Sequence, residues 1–344
     1  MEKSVLVGLS GGVDSAVCCK LLKDEGYSVT ACCCIMSDAH LASVDGARTA
    51  AGELDVELVC VDVREEFKQT VIIPFMQSYS KGTTPNPCVV CNEKVKFNVL
   101  LKTAVQKGIR NIATGHYVKV ESFNGIFVLE KAKDKKRDQS YMLYRLDQDV
   151  LSRLITPLGG YEKSDVRRIA SDCRLSCSQA SDSEDVCFIP EGSFTDYMHQ
   201  CGYFGKKGNF ISPSGEILGS HEGVEYYTAG QRKGLGLNLG QPAYVERILD
   251  SGDIKLAFSG GGYAKGVVLS DVVINEHFKE KLPGNLSVKI RYAAKPVDVK
   301  ACGESDGLRL EFTCPQRFPA PGQSAVLYSD DLLAAGGIIS DFFN

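Results

Sequence analysis

The segment from Gly8 to Ser15 carries the residue types that bind phosphate groups. It reads Gly-Leu-Ser-Gly-Gly-Val-Asp-Ser and lies between the apolar run 5–9 and a segment with helical spacing. Glycines let the backbone approach a ligand closely, and the free N–H groups at a helix start hold anionic oxygens. Ser10 adds a hydroxyl donor, and Asp14 could hold a magnesium ion against a pyrophosphate. The segment therefore predicts a phosphate site at the end of a first strand.

Two other phosphate motifs are excluded by inspection. A Walker A loop requires a lysine after its second glycine, and this segment has none there. The glycine spacing also differs from that of a dinucleotide-binding fingerprint. The hexapeptide Ser-Gly-Gly-Val-Asp-Ser instead resembles the PP-loop of ATP pyrophosphatases, which split ATP and leave AMP on a substrate. The alternative is a serine-glycine turn that only connects a strand to a helix.

Three of the fourteen cysteines stand in settings suited to sulfur chemistry or metal binding. Cys88 and Cys91 form a Cys-x-x-Cys pair in a loop bracketed by prolines, and Cys187 stands in a short apolar run behind an acidic segment. Taken alone, the pair fits half of a zinc site, a redox pair or two ligands of an iron–sulfur cluster, and a zinc site requires a second pair of comparable spacing. From the residues alone, the chemistry of these thiols stays open.

Apolar strands alternate with helical segments through the first half of the chain. We predict strands at residues 4–9, 28–35, 56–63 and 109–114, and helices at residues 15–25, 44–54 and 93–107. This alternation is typical of a parallel sheet that is covered on both faces and binds ligands beyond the carboxyl ends of its strands. The phosphate segment and Gly115 both fall at such ends.

The rest of the chain has a different pattern. Residues 118–121 and 126–130, joined around Asn124-Gly125, predict a hairpin with a primed turn. Farther along, glycines multiply and short strands alternate with turns, which is typical of small β-rich modules. We therefore predict an α/β fold with three parts, namely a Rossmann-like parallel-sheet PP-loop domain at residues 1–192, a small mixed α/β central module at 193–258 and a C-terminal β-barrel at 259–344.

Composition and charge favour a cytoplasmic protein without membrane association. No run approaches the about 20 apolar residues of a membrane span, and the amino terminus lacks the pattern of a signal peptide. Cysteines in such a compartment are kept reduced. The net charge of −4 does not by itself indicate a nucleic-acid binder, but the basic run 131–137 could create a local positive field.

Six sequence blocks, in order along the chain, resemble one enzyme family. They are GLSGGVDS at Gly8–Ser15, TPNPCxxCN at Thr84–Asn92, ATGHY at Ala113–Tyr117, DQSY at Asp138–Tyr141, DVCFI at Asp185–Ile189 and YTAGQRKGLG at Tyr227–Gly236. Together they resemble the bacterial-type tRNA-specific 2-thiouridylases, PP-loop enzymes that replace oxygen by sulfur at C2 of the wobble uridine. The pairing of the proline-bracketed cysteine loop with the distant DVCFI block makes the resemblance specific.

The resemblance implies a role for each matching residue. The ATP phosphates would be held by Gly8, Leu9, Ser10, Gly11, Gly12, Val13, Asp14 and Ser15, and the adenosine by Met36 and Gly115. The target base would face Asn86, Pro87 and Cys88, while Cys91 and Cys187 would handle sulfur. Contacts to tRNA would come from His116, Asp138, Gln139, Ser140, Arg291, Tyr292 and Gln323, together with the central module.

The same resemblance implies the reaction and its partners. ATP, with Mg²⁺, would adenylate the C2 oxygen of the wobble uridine in the anticodon stem-loop, because a carbonyl oxygen is a poor leaving group. A sulfur nucleophile would then attack C2 and release AMP, giving 2-thiouridine. The sulfur donor would be a persulfide carrier protein or inorganic sulfide. Cys91 would gain nucleophilicity from the start of the helix predicted near Glu93.

Cys88 is a departure from many members of that family, which carry Asp at this position. One scheme keeps a persulfide on Cys187 and uses Cys91 to complete the transfer, ending in a disulfide. With a third thiol, Cys88, Cys91 and Cys187 could instead hold a [4Fe–4S] cluster whose fourth iron is open to sulfide. We expect the cluster on the strength of the added cysteine.

Two other functions stay open. The chain could be another PP-loop adenylating enzyme, such as a small-molecule amide synthetase, which would not need the loop cysteines. It could also be a non-catalytic iron–sulfur protein that binds a nucleotide, which would release no pyrophosphate in the presence of tRNA, ATP and sulfide.

Overall fold

The computed structural model describes residues 3–180, 186–189, 193–280, 282, 284–304 and 307–344. Asp185 of the DVCFI block therefore lies outside the described residues, whereas Cys187 lies within them. In the part of the chain that is described, no helix is both long enough and apolar enough to cross a bilayer.

The secondary structure comprises the following strands and helices. The strands are β1 Ser4–Gly8, β2 Ser28–Ile35, β3 Glu57–Asp62, β4 Asn111–Ala113, β5 Val118–Phe123, β6 Ile126–Lys131, β7 Leu154–Ile155, β8 Gly208–Ile211, β9 Ile217–His221, β10 Ala243–Ile248, β11 Ile254–Phe258, β12 Tyr263–Ile274, β13 Leu286–Lys289, β14 Val297–Glu304, β15 Gly307–Arg317, β16 Ser324–Ser329 and β17 Leu332–Phe343. The helices are α1 Val13–Asp24, α2 Leu41–Glu53, α3 Arg64–Phe67, α4 Ile73–Ser80, α5 Pro87–Cys91, α6 Phe97–Gln106, α7 Gln148–Leu151, α8 Lys163–Asp172 and α9 Phe194–Gln200.

A five-stranded parallel sheet in the order β3-β2-β1-β4-β7 organises the first part of the chain. The central strand β1 is apolar and fully buried at Val5, Leu6 and Val7, as expected for a strand covered on both faces. Helices α1 and α2 pack against the side of β1 that carries Val5 and Val7, and α6 packs against the side that carries Leu6. The carboxyl ends of β1 and β4 therefore lie side by side and form one edge for a ligand.

The predicted hairpin forms β5 and β6, and it belongs to a different sheet. Asn124 and Gly125 have φ values of 51° and 84°, the left-handed conformations that a primed turn requires. β6 pairs with β17 at Glu130 and Leu332, so the hairpin extends the sheet of the carboxyl-terminal barrel. The two parts of the molecule are thus joined by backbone pairing.

The remaining strands form two further sheets. In the C-terminal part, six antiparallel strands in the order β12-β15-β14-β13-β16-β17 close into a barrel through the pairing of β12 with β17. The central part of the chain forms a small mixed sheet in the order β10-β11-β8-β9, in which β8 and β11 are parallel. The predicted fold class is confirmed, while the domain limits at residues 192 and 258 stay a prediction.

Candidate functional site

The loop between β1 and α1 has the form that a phosphate site requires. Ser15 donates its hydroxyl proton to the carbonyl of Gly12 at 2.9 Å and accepts from the backbone N–H of Ser10 at 3.2 Å. Gly11 has a φ of +82°, and a Cβ at this position would lie 2.8 Å from the backbone of α2 at Gly46 and Ala47. A larger residue at Gly11 would collide with that helix, so the loop is fixed with its N–H groups at the start of α1.

Asp14 of this loop forms a partly buried ion pair that the sequence did not reveal. Lys163 Nζ lies 2.7 and 2.8 Å from the two carboxylate oxygens, and the Tyr117 hydroxyl donates to Oδ1 at 2.8 Å. The Lys163 side chain is only 11% exposed. The carboxylate proposed as a magnesium ligand is therefore neutralised before a nucleotide arrives. One signal for this pair was present in the sequence: Lys163 begins a helix that follows β7, a strand of the same parallel sheet.

Gly115 and His116 lie directly after β4, against the phosphate loop. A Cβ on Gly115 would lie 2.8 Å from the backbone of Asp14, so this close approach requires glycine. The ring of His116 stacks on Phe97 at 5.9 Å, and its Nδ1 shares a 2.8 Å hydrogen bond with the hydroxyl of Thr114. Burial, together with the charge of Lys96, lowers the pKa of His116 to about 3. His116 is therefore neutral at physiological pH and offers no positive charge to RNA.

Cys88 and Cys91 lie on a helix that begins earlier than the sequence predicted. The side chain of Asn86 accepts hydrogen bonds from the backbone N–H groups of Cys88 and Val89 at 3.1 and 3.4 Å, and Pro87 occupies the first helical position. Both are features of a helix start. The predicted start near Glu93 is wrong for this reason, and Cys91 lies one turn inside the helix.

The thiol of Cys91 contacts a residue assigned to the adenosine. Cys91 is 7% exposed, and its Sγ lies 3.7 Å from Sδ of Met36, which directly follows β2. The end of β2 is adjacent to the end of β1 in the parallel sheet. The cysteine helix and the nucleotide edge of the sheet therefore meet at this contact.

The three candidate thiols lie close enough together to influence one another. Desolvation by the surrounding protein, followed by the charges of Cys91 and Cys88, raises the pKa of Cys187 to about 11. Desolvation also raises the pKa of Cys88 and of Cys91, and the Lys96 ammonium opposes the rise at all three thiols. The expectation of a thiol activated by the helix start is therefore wrong for Cys91, because burial outweighs it.

The described thiols do not converge on a site for a single metal ion. Cys88 and Cys187 are exposed residues and Cys91 is buried. Within the described ranges, which include all three, no group of three or more His, Cys, Asp or Glu side chains is arranged to hold a metal ion. In a [4Fe–4S] cluster each cysteine binds a different iron, so this finding does not test the cluster, which stays a prediction.

Asp138, Gln139 and Ser140, assigned to tRNA, point into the protein. Asp138 and Ser140 are buried, and their side chains are joined by a 2.8 Å hydrogen bond. The hydroxyl of Ser140 also lies 3.0 Å from that of Tyr328 in the barrel. Gln139 accepts from the backbone N–H of Tyr117 at 2.9 Å. The three residues therefore hold the turn beside β4, and their contact with tRNA stays a prediction.

Arg291, Tyr292 and Gln323 lie on the barrel and connect it to the other parts. Arg291 donates to the carbonyls of Ala229 in the central module and of Phe318. Gln323 donates to the carbonyl of Thr84 at 3.0 Å, just before the cysteine helix. Tyr292 lies 6.1 Å from the ring of Tyr141, measured between centroids. The contact between Gln323 and Thr84 therefore ties this group to the segment that carries the thiols.

The sequence matches three family profiles in order. They are described as a tRNA methyl transferase HUP domain at residues 3–191, a tRNA methyl transferase PRC-barrel domain at 198–253 and an aminomethyltransferase beta-barrel domain at 264–339. One solved structure that the chain matches is the U34-tRNA thiolase NcsA from Methanococcus maripaludis with its [4Fe-4S] cluster, at 17% identity, 58% coverage of this chain, 65% coverage of that chain and a TM-score of 0.36. So low a likeness says nothing about the site.

Curated relatives match along almost the whole chain. The tRNA-specific 2-thiouridylase MnmA of Clostridium kluyveri is 38% identical over 360 residues, covering 98% of this chain and 99% of that protein. The protein of the same name from Clostridium beijerinckii is 37% identical over 359 residues, with the same coverage. On this identity and coverage, the chain belongs to the tRNA-specific 2-thiouridylase family.

Proposed function

We propose that this protein converts the wobble uridine of tRNA to 2-thiouridine in an ATP-dependent reaction in the cytoplasm. The observation that carries the proposal is the 3.7 Å contact between Cys91 Sγ and Met36 Sδ, which brings a thiol to the nucleotide edge of the parallel sheet. Methyl transfer, the activity named in the profile descriptions, requires neither an ATP phosphate loop nor adjacent thiols. The site therefore favours the activity named for the curated relatives.

In the first step the C2 oxygen of the uridine attacks the α-phosphorus of ATP. The bond from that phosphorus to the bridging oxygen breaks, pyrophosphate leaves, and AMP becomes attached to C2 through the former carbonyl oxygen. The N–H groups at the start of α1 and the ammonium of Lys163 are placed to stabilise the departing charge. Mg²⁺, when bound with ATP, would supply further neutralisation, with Asp14 as the candidate carboxylate ligand.

In the second step a persulfide on Cys187 supplies the sulfur. Its terminal sulfur attacks C2, the adenylated oxygen leaves with AMP, and a mixed disulfide joins Cys187 to the base. The Cys91 thiolate then attacks Sγ of Cys187, which releases the 2-thiouridine and leaves a Cys91–Cys187 disulfide. A persulfide carrier supplies the outer sulfur, and a dithiol reductant restores both thiols with two electrons.

The raised pKa values of the resting thiols are consistent with this sequence. Cys91 must ionise before it attacks Sγ of Cys187, and the Lys96 ammonium, which opposes the rise in the pKa of Cys91, favours that ionisation. Protonated thiols are also protected from adventitious oxidation between turnovers. The proposal routes no step through an iron–sulfur cluster.

The test combines purified protein, tRNA, ATP, Mg²⁺ and a persulfide donor, followed by mass spectrometry of tRNA nucleosides and measurement of pyrophosphate. We expect 2-thiouridine at the wobble position with the unaltered protein. Cys187→Ser and Cys91→Ser should form none beyond background, yet Cys91→Ser should still release pyrophosphate with tRNA. The matched control is Cys302→Ser, an exposed cysteine on β14, which should behave as the unaltered protein.

Three results would contradict the proposal. The first is pyrophosphate release that depends on a small amine and not on tRNA, which identifies an amide synthetase. The second is binding of ATP without any pyrophosphate release in the presence of tRNA and sulfur donor. The third is anaerobically purified protein that holds iron and sulfide and loses activity when they are removed, which replaces the persulfide route.

A further inference from the structure

One buried carboxylate, that of Asp134, joins two segments that lie far apart in the sequence. Its Oδ1 accepts hydrogen bonds from the backbone N–H groups of Lys136 at 3.1 Å and Arg137 at 3.3 Å, and its Oδ2 accepts from the backbone N–H of Lys163 at 3.1 Å. Asp134 is 9% exposed. Lys163 is the first residue of α8, where the backbone N–H groups find no acceptor within the helix itself. Asp134 therefore caps α8 from outside that helix.

Close backbone contacts fix the surroundings of this carboxylate. The N–H of Lys133 donates to the carbonyl of Gly159 at 2.9 Å. A Cβ on Gly159 would lie 2.1 Å from the carbonyl oxygen of Val118 at the start of β5, so the chain before α8 is pressed against that strand. The segment that carries Asp134 and the chain that leads into α8 are therefore held together by backbone contacts as well as by the carboxylate.

The same segment, residues 134–139, also holds Tyr117. At its end the N–H of Gln139 donates to the carbonyl of Tyr117 at 2.8 Å, and its Oε1 accepts from the N–H of Tyr117 at 2.9 Å. Tyr117 is 1% exposed, and its hydroxyl donates to Asp14 in the phosphate loop at 2.8 Å. The Lys163 ammonium, which pairs with the same carboxylate, lies 5.8 Å from the centroid of the Tyr117 ring. Segment 134–139 therefore holds two donors to Asp14.

The position of the Lys163 backbone decides where the charge of its side chain acts. A lysine carries a compact charge on a flexible four-carbon stem, so the ammonium keeps one place only when its Cα and its surroundings are fixed. The end of a helix frays, and an acceptor for its N–H groups orders it. A charge that stabilises a leaving group is most effective when it needs no reorganisation during the reaction. The cap from Asp134 supplies this fixed starting point for Lys163.

We propose that Asp134 is a positioning residue for the adenylation step, because it fixes the backbone of Lys163 and so holds the ammonium at the phosphate loop. The inference rests on the proposed function and deepens it, since it names a residue that acts on the cleavage of ATP through another residue. A purely structural Asp134 would instead affect the stability of the fold and leave the turnover of folded protein unchanged. Kinetics separate the two roles.

The test is tRNA-dependent pyrophosphate release by the full-length protein, with saturating tRNA and a series of ATP concentrations. Asp134→Asn keeps the size of the side chain but leaves one carbonyl oxygen for three N–H donors. We expect its kcat to fall about tenfold, while KM for ATP changes by less than about threefold, because the misplaced charge acts on the departing pyrophosphate. Asp134→Ser, which keeps one short acceptor, should lose at least as much. The matched control is Asp147→Asn, which weakens the cap of α7 at the N–H of Val150 and should keep kcat within about twofold.

A double variant shows whether Asp134 acts through Lys163. Asp134→Asn/Lys163→Ala should release pyrophosphate at the same rate as Lys163→Ala alone, because nothing remains for the cap to position. Losses that multiply in the double variant would show that Asp134 acts by another route and would overturn the inference. Melting temperatures of all variants identify the comparisons that concern folded protein.

The inference and the proposed function fail in different samples. Asp134→Asn with the kcat of the unaltered protein would overturn the positioning role, and a lowered melting temperature beside that kcat would assign Asp134 to the fold alone. Both results leave the thiolation assay of the unaltered protein intact. Unaltered protein that releases no pyrophosphate in the presence of tRNA would overturn the proposed function and the inference with it.

Discussion

At the scale of single residues, the pair formed by Asp14 and Lys163 is the least expected feature of the site. The Lys163 ammonium lies 2.7 Å from the Asp14 carboxylate at the start of α1, and the two residues come from opposite ends of the parallel-sheet part of the chain. When ATP enters, its phosphates bring negative charge to this place, and the ammonium gains a second anionic partner. We infer that the Lys163 ammonium acts on the departing pyrophosphate as well as on the Asp14 carboxylate.

This inference gives a prediction for Lys163. Lys163→Ala should lower tRNA-dependent pyrophosphate release by about 100-fold, because a preorganised positive charge at the leaving group is lost. Lys163→Arg should recover part of the rate. The matched control is Arg168→Ala on the same helix, whose exposed pair with Asp165 lies outside the site. Pyrophosphate release by Lys163→Ala at the rate of the control would show that the lysine has no part in adenylation.

At the scale of elements, the helix after Asn86 explains how one cation reaches several thiols. Between α5 and α6 the residues Asn92–Lys96 form a π turn, which inserts an extra residue into the helical repeat. The Lys96 charge acts on Cys88, Cys91 and Cys187 together and opposes the rise in their pKa values. The π turn therefore places the Lys96 side chain where its charge acts on all three thiols.

The prediction for this element concerns the reactivity of Cys187. Lys96 lowers the pKa of the thiol, so Lys96→Met should raise it and reduce the thiolate fraction at any pH below the new pKa. Alkylation of Cys187 by iodoacetamide, followed by peptide mass spectrometry between pH 7 and 10, should be about threefold or more slower than in the unaltered protein. Lys96→Arg should keep the rate. Lys94→Met, an exposed lysine on the same turn, is the control, and an equal slowing there would contradict a specific role for Lys96.

The sequence was most informative about the bounds of strands and the positions of turns. The strand at residues 28–35 was predicted with its observed bounds, and the Asn124-Gly125 turn followed from its residue types. The helix start at Pro87 was missed because two prolines and two polar residues gave the pattern of a loop, although an Asn followed by Pro is also a helix cap. Contacts such as Lys163 with Asp14 join positions 149 residues apart, and no local pattern encodes them.

At the scale of the whole molecule, the thiols are held between the parallel sheet and the barrel. Thr84 bonds to Pro321 and Gln323 of the barrel, and Arg291 bonds to Ala229 of the central module. These contacts assign the barrel a structural role in positioning the cysteine loop. Family blocks in the sequence indicated which residues belong to the site, but burial of Asp138 and Ser140 could be seen only in three dimensions.

The central claim is that the C2 oxygen of the uridine is adenylated before sulfur enters. The most direct measurement uses tRNA made with ¹⁸O at C2 of uridine, incubated with the protein, ATP and persulfide donor, with mass spectrometry of the released AMP. The account predicts one ¹⁸O in the phosphate of AMP for each 2-thiouridine formed, and none in pyrophosphate. Formation of 2-thiouridine with AMP that carries no ¹⁸O would contradict it.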